Sequence, residues 1–278
     1  MTDDIFAPWL ARWRLTRDGE AIATHSSRLL PVIAAGAPAM LKIATHAEEQ
    51  RGGMLMVWWG AAGAARVLRR QGQAILLERL TGARSLAAMA RGGEDDAATR
   101  ILCAAAAALH APRPTPPPKS LVPLPIWFRA LAPAAARHGG VLLEADACAR
   151  ALLASPRDAV VLHGDIHHDN VLDGGPRGWQ AIDPKGLIGE RGFDYANTVC
   201  NPDFACVSEP GRMRRRLEVI AGASGQDPVR LHQWLLAYLG LSAAWTMDEG
   251  APGKAADTLV LARLAAAELA AHAGPGRR

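Results

Sequence analysis

Apolar residues in the first eighty positions fall in short runs parted by polar tips, a pattern of strands. Ala21-Ile22-Ala23-Thr24 and Leu29-Leu30-Pro31-Val32-Ile33 flank the tip His25-Ser26-Ser27-Arg28. Ala39-Met40-Leu41-Lys42-Ile43 is a third run, with one lysine between bulky apolar neighbours. Residues 48–59 carry Leu55, Trp58 and Trp59 on one side of a helical repeat. Ala65-Arg66-Val67-Leu68 and Ala74-Ile75-Leu76-Leu77 return to strand. Glu78-Arg79-Leu80-Thr81-Gly82 then breaks the pattern.

Beyond it the period is helical. Residues 97–110 predict a helix capped by Asp95 or Asp96. Residues 111–125 hold seven prolines and read as an extended strut along the surface. Helices resume at 126–137 and 144–154. Val160-Val161-Leu162, Val171-Leu172 and Trp179-Gln180-Ala181-Ile182 are three short strands, the last two joined by a turn rich in Gly and Pro. Further helices are expected at 209–223, 228–245 and 253–272, the second opened by Asp227 as cap and Pro228. No internal repeat is present. This order predicts an α+β chain with a small β-rich lobe, 1–80, and a larger helical lobe, 81–278. The cleft between them is the expected ligand site.

Composition narrows the partners. Half of the 278 residues are hydrophobic, enough for a sizeable core. Four cysteines without a Cys-x-x-Cys pair suit a reducing cytoplasm. The acidic start Met1-Thr2-Asp3-Asp4 does not read as a secretory signal, and no run reaches the ~18 apolar residues of a membrane span. A net charge of +4, with one basic cluster at 212–216, is too slight to imply nucleic acid. That cluster reads as a solvated helix start. Nothing points to an obligate protein partner.

The candidate chemistry lies in His163-Gly164-Asp165-Ile166-His167-His168-Asp169-Asn170 and in Ile182-Asp183. Asn170 follows Asp165 by five residues and Asp183 follows it by eighteen. Phosphoryl transfer from ATP needs such a set. One carboxylate orients the attacking hydroxyl, while an amide oxygen and a second carboxylate hold Mg²⁺ against the phosphates. A charged Asp183 directly after an apolar run is costly without a cation or donor. The same loop also admits a metal-hydrolase reading with His163, His167 and Asp183 as ligands. His163 and His167 otherwise read as structural, and His168 as solvent-facing.

These residues resemble the aminoglycoside phosphotransferases, which have a protein-kinase-like fold. Trp13-Arg14-Leu15, Thr24-His25-Ser26-Ser27, Pro38-Ala39-Met40-Leu41-Lys42, residues 60–67, Leu109-His110-Ala111-Pro112 and Gly240-Leu241-Ser242-Ala243-Ala244-Trp245 look like the streptomycin 6-phosphotransferase branch, grouped with hydroxyurea kinases. The resemblance implies Asp165 as catalytic base and Asn170 and Asp183 as Mg²⁺ ligands. It implies Lys42 on the α- and β-phosphates of ATP, held by Glu49. It places Ser26 and Ser27 against phosphate oxygens and the backbone of Glu78 and Leu80 against adenine. The implied reaction is phosphorylation of streptomycin at its 6-hydroxyl, which would give antibiotic resistance, or of another small hydroxyl compound such as hydroxyurea. Streptomycin carries guanidinium groups, so its pocket is expected to be acidic, with Glu190, Asp194 and Asp248 as candidates. Trp245 stands on the same side, on an apolar helix that also reads as core. Lys185, in Pro184-Lys185-Gly186 after Asp183, is a cation that a cationic substrate would have to avoid.

Overall fold

The computed structural model describes residues 5–273. The front of the chain is helix α1 (Ala7–Trp13), then strands β1 (Leu15–Arg17), β2 (Ile22–Ala23), β3 (Ser27–Ala34) and β4 (Ala37–Ala44). Helix α2 (Ala47–Trp59) and strands β5 (Val67–Gln71) and β6 (Ala74–Glu78) complete it. The strands form one antiparallel sheet in the order β1-β3-β4-β6-β5, with β2 paired to β3. Its register follows the apolar runs: Leu30 lies opposite Leu41, and Leu41 opposite Leu76. All three are buried, together with Val32, Phe6 and Trp13, in a small core of their own. Helix α1 lay outside the expected elements. Its seven residues are too few for a helical period to stand out, yet Trp13 closes this core.

The rest is mainly helical, as expected for the larger lobe. It contains α3 (Leu86–Arg91), α4 (Asp95–His110), β7 (Val122–Pro123), α5 (Leu124–Trp127), α6 (Leu131–His138) and α7 (Val141–Ala154). Strands β8 (Ala159–Leu162), β9 (Val171–Asp173), β10 (Trp179–Ala181) and β11 (Leu187–Glu190) follow. The chain closes with α8 (Gly192–Val199), α9 (Phe204–Val207), α10 (Arg212–Ser224), α11 (Pro228–Asp248) and α12 (Pro252–Ala273). The proline-rich segment is an extended connection pinned to the surface. Trp58 Nε1 donates to the Thr115 carbonyl at 3.1 Å, and Arg113 lies 5.0 Å over the Trp58 ring.

The three strand runs within residues 159–182 form, but their pairing is split. β9 and β10 make a hairpin. β8 instead pairs with β11, which the sequence pattern had not separated from the loop before it. α11 packs closely on α7 because position 240 is glycine: a Cβ there would sit 2.4 Å from the Ala145 Cβ. Asp227 caps α11, accepting from the Val229 amide at 2.9 Å.

Three expectations fail around a buried ion pair inside the helical lobe. Asp95 does not cap α4; it is in the first turn, without a cap hydrogen bond from Glu94 before it. Its carboxylate takes Arg216 Nη2 at 2.6 Å. Arg216 therefore leaves the solvated cluster and is fully buried, donating also to the Val199 carbonyl at 3.0 Å. His168 is buried rather than solvent-facing, and burial followed by the Arg216 charge pushes its pKa down to about 3.

Candidate active site

Two loops meet at the cleft, 163–170 between β8 and β9, and 182–186 between β10 and β11. Backbone bonds staple them: the Ile182 amide donates to the Asn170 carbonyl at 2.9 Å, and the Lys185 amide to the His163 carbonyl at 2.7 Å. His163 adds a third link. Its Nε2 contacts the Ile182 carbonyl at 2.8 Å, and its Nδ1 accepts from the Asp165 amide at 3.2 Å. A carbonyl only accepts, so the proton is on Nε2 and the ring is neutral. Burial, the largest influence, lowers its pKa and maintains that state. Asp183 stands at the apex of the second loop with φ +56°, a left-handed conformation that Asp tolerates better than most residues.

Asp194 holds the first loop from below. Its carboxylate accepts from the His163 amide at 2.9 Å, the Gly164 amide at 2.7 Å and His110 Nε2 at 2.8 Å. Burial raises its pKa, but the His110 hydrogen bond and the other donors outweigh that and leave it lowered. The expectation of Asp194 as a substrate-facing acid is thus corrected. It lies beneath the loop, saturated with donors and away from the cleft.

Asp165 is presented above that anchor. Oδ1 accepts from Asn197 Nδ2 at 2.7 Å, and Asn197 Oδ1 accepts in turn from the Tyr238 hydroxyl at 2.7 Å. Oδ2 faces Lys185 Nζ at 3.5 Å, which also pairs with Glu48 at 3.1 Å. Burial pulls the Lys185 pKa down, yet Asp165 and Glu48 more than reverse this and it is raised. Two carboxylates therefore offset Lys185, which does not project an unopposed charge at a cationic substrate. Asn197→Ala removes the Asp165 tether without emptying the carboxylate position. Its expected effect is a fall in kcat on the order of 10²-fold with KM for ATP unchanged, read by steady-state kinetics. An unchanged kcat would remove Asn197 from the positioning role.

Lys42 reaches the same point from β4. Its ammonium pairs with Glu49 of α2 and with Asp183 Oδ1, the latter at 2.7 Å. Helix α2 can approach because residue 52 is glycine: a Cβ there would lie 2.2 Å from the Pro184 carbonyl oxygen. The Ser26 hydroxyl donates to Glu49 at 2.7 Å, and buried Ser27 shares a 2.8 Å hydrogen bond with Thr24. Both hydroxyls thus have protein partners in this structure, and Ser26 also lines the cavity described below. The Glu78 amide is engaged by the Arg66 carbonyl at 2.9 Å, so that amide does not donate to adenine. The Leu80 amide has no partner among the described residues.

A cavity of about 810 Å³ opens beside this point. Its size suits a drug-sized ligand, whose pockets span about 300–1,000 Å³. Trp127 and Trp245 form one wall, in edge-to-face contact at 5.2 Å. Asp248 and Glu249 are at its rim, and Lys185, Arg51 and Arg129 also line it. The cavity is mixed in charge, not uniformly acidic. Glu190 is outside it: buried, and bound by Arg230, by Trp234 Nε1 at 2.8 Å and by the Arg157 amide at 2.9 Å. The expected substrate role of Glu190 is corrected accordingly. Of the four substrate-side candidates, Trp245 and Asp248 line the cavity.

Residues 12–250 match the family described as aminoglycoside/hydroxyurea antibiotic resistance kinase. The chain belongs to this family. It is 51% identical over 246 residues to a streptomycin 3''-kinase of Klebsiella pneumoniae, covering 87% of this chain and 92% of that one. It is 30% identical over 266 residues to a streptomycin 6-kinase of Streptomyces griseus, covering 86% and 81%. Among solved structures it is similar to a thermostable mutant of aminoglycoside phosphotransferase APH(4)-Ia in a ternary complex with ADP and hygromycin B. The TM-score there is 0.64 at 13% identity, over 93% of this chain and 98% of that one. The protein-kinase-like fold is therefore established, and the chain is a kinase.

The kinase's loop histidines do not form a hydrolase metal site. Both ring nitrogens of His163 are engaged by loop groups, and no His/carboxylate group of metal-binding geometry occurs there among the described residues. Asn170 and Asp183 do fit Mg²⁺. Asn170 Nδ2 donates to the Asp165 carbonyl at 2.8 Å, which leaves its amide oxygen as a donor to a cation. Asp183 adds a carboxylate oxygen, and Mg²⁺ prefers such hard oxygens. The residues missed in the sequence were Asn197 and Tyr238. The three-residue spacing of Asp194 and Asn197 on α8 puts both on one helix face, a signal that was available. Tyr238 is forty-one positions from Asn197 and has no local signal.

Proposed function

We propose that this kinase transfers the γ-phosphate of ATP to streptomycin, at the 3''-hydroxyl. The observation that carries the substrate is the 51% identity, nearly end to end, with a streptomycin 3''-kinase. The 6-hydroxyl expected from sequence is supported by relatives of lower identity, 30% for one of them. Hydroxyurea is the second reading, supported by a relative 31% identical that is a hydroxyurea phosphotransferase.

The chemistry follows from charge placement. Asp165 accepts the hydrogen bond of the acceptor hydroxyl and takes its proton as the oxygen–phosphorus bond forms and the bond to the ADP oxygen breaks. Lys42 meets the non-transferred phosphates, and Lys185, beside Asp165, meets the transferring group. Mg²⁺ held by Asn170 and Asp183 would neutralise phosphate charge. The Leu80 amide is free to donate to adenine. Asp248 and Glu249 are placed to receive guanidinium groups, while Trp127 and Trp245 give the sugar an apolar wall. A phosphate on the antibiotic adds negative charge to a polycation and would block its action, which is the route to resistance.

Incubation with ATP and streptomycin tests this reading. The expected product is one phosphate heavier, with the phosphorus coupled to the 3'' proton in a two-dimensional NMR spectrum. Coupling at position 6 would overturn the regiochemistry, and absence of phosphorylated streptomycin would overturn the substrate.

A further inference from the structure

Far from the cleft, the start of α11 meets the end of α12. His232 on α11 and Glu268 and His272 on α12 offer ligand atoms that all lie within 4.8 Å of one another. His232 is 2% exposed, and its Nε2 is buried with no hydrogen-bond partner. Its Nδ1 contacts the Pro228 carbonyl at 2.7 Å. His272 has the same arrangement, with Nδ1 against the Glu268 carbonyl at 2.9 Å. Because a carbonyl only accepts, both protons are on Nδ1 and both Nε2 lone pairs are available. Metal-ligating histidines are oriented this way, by a backbone carbonyl on the far nitrogen. Burial, the largest influence, lowers the His232 pKa and so favours the neutral ring a metal needs.

A buried imidazole nitrogen without a partner is costly unless something meets it. The ring centroids of His232 and His272 are 4.2 Å apart at 43°, so no direct hydrogen bond joins them. Glu268 and His272 share one face of α12 by their four-residue spacing. Tetrahedral coordination at ~2.1 Å needs ligand atoms ~3.4 Å apart. Rotation of the more exposed Glu268 and His272 side chains covers the difference.

We propose that His232 Nε2, the Glu268 carboxylate and His272 Nε2 bind a divalent transition-metal ion of the zinc class. The ion pins the start of α11 to the end of α12, with water in the fourth position. Two imidazoles and a carboxylate suit zinc and exclude Mg²⁺ as the preferred ion. The site is separate from the phosphoryl-transfer residues and does not depend on them.

The test uses the full chain, stripped with chelator and titrated with Zn²⁺ by calorimetry and thermal melting. His272→Ala and Glu268→Gln are the variants, since neither removes a buried side chain. Wild type is expected to bind one more equivalent of Zn²⁺ than either variant. At a hundredfold excess over Kd its melting temperature is expected to rise roughly 5 °C more. Kinase activity of the stripped variants is expected to match wild type. Equal stoichiometry and equal shift in all three proteins would overturn the site and assign any zinc bound to other groups. A Zn²⁺-induced shift reproduced by Mg²⁺ at the same concentration would overturn it as well.

Discussion

Asp165→Ala is expected to lower kcat about 10³-fold and leave nucleotide affinity nearly unchanged. The carboxylate is the group proposed to take the acceptor proton, and it has one oxygen tied to Asn197 and the other facing Lys185. Lys42, Asn170 and Asp183, the residues proposed to meet the phosphates and Mg²⁺, are untouched by the change. The fold should also persist. The side chain is 27% exposed, and the lost hydrogen bond to Asn197 costs about 1 kcal/mol. Steady-state kinetics with calorimetric titration of ATP separates the two effects. Turnover near the wild-type level would take the base role away from Asp165, and loss of ATP binding would make it a nucleotide residue instead.

Arg216→Ala is expected to destabilise the protein by about 3–5 kcal/mol, the cost of stranding a buried charge. Asp95 would keep only Arg212, at 3.3 Å, and the carbonyls of Val199 and Asn201 would lose their donor. Arg215→Ala, at the neighbouring position but exposed and paired with Asp96, should change stability by less than about 1 kcal/mol. Urea unfolding of both variants reads the contrast; equal effects would show that the buried pair is not special.

Four carboxylates, among them Asp173 bound by Arg84 at 2.8 Å, set the acid limit. Asp95, Asp173, Glu190 and Asp194 all have lowered pKa values in the fold. Burial opposes the shift in Asp95, Glu190 and Asp194, and their hydrogen-bonded donors outweigh it; in Asp173 the Arg84 hydrogen bond is the leading cause. A carboxyl of this kind stabilises fully above its ordinary value and loses that contribution as pH falls through its folded value. His163, His168 and His232 are also lowered, so they resist protonation that the unfolded chain accepts below about pH 6.5. Both sets act in one direction. Unfolding free energy should be highest near about pH 7–8, decline below about pH 6.5, and fall more steeply below about pH 5. Above about pH 8 it should decline again, because burial raises the Cys103 and Cys200 thiols to about 12 and the unfolded thiols ionise first.

Lys42 and Asp183, which the structure brings together, were legible because each carries a local contradiction. Lys42 is a charge in an apolar strand, and Asp183 is a charge directly after one. The sheet was legible because its strands keep separate apolar runs, such as 29–33, 39–43 and 74–77. Short elements were not: α1 and β11 are seven and four residues long, and no period can be read from so few. The acids were the harder case. Glu190 and Asp194 follow the loop that carries Asp183 in sequence, as substrate residues could. Their partners, Arg230 and Trp234 for one and His110 for the other, come from distant helices. Adjacency in sequence gave position without direction, and only tertiary contacts show that both point inward. Arg216 misled in the same way, since a basic run looks solvated until Asp95 is brought beneath it.

The most direct test is a crystal of the kinase grown with a non-hydrolysable ATP analogue and Mn²⁺, the ion located by anomalous scattering. The expected result is an ion about 2.0–2.2 Å from the Asn170 amide oxygen and an Asp183 carboxylate oxygen, with Asp165 facing the γ-phosphate. Phosphates and ion bound away from Asn170 and Asp183 would contradict it.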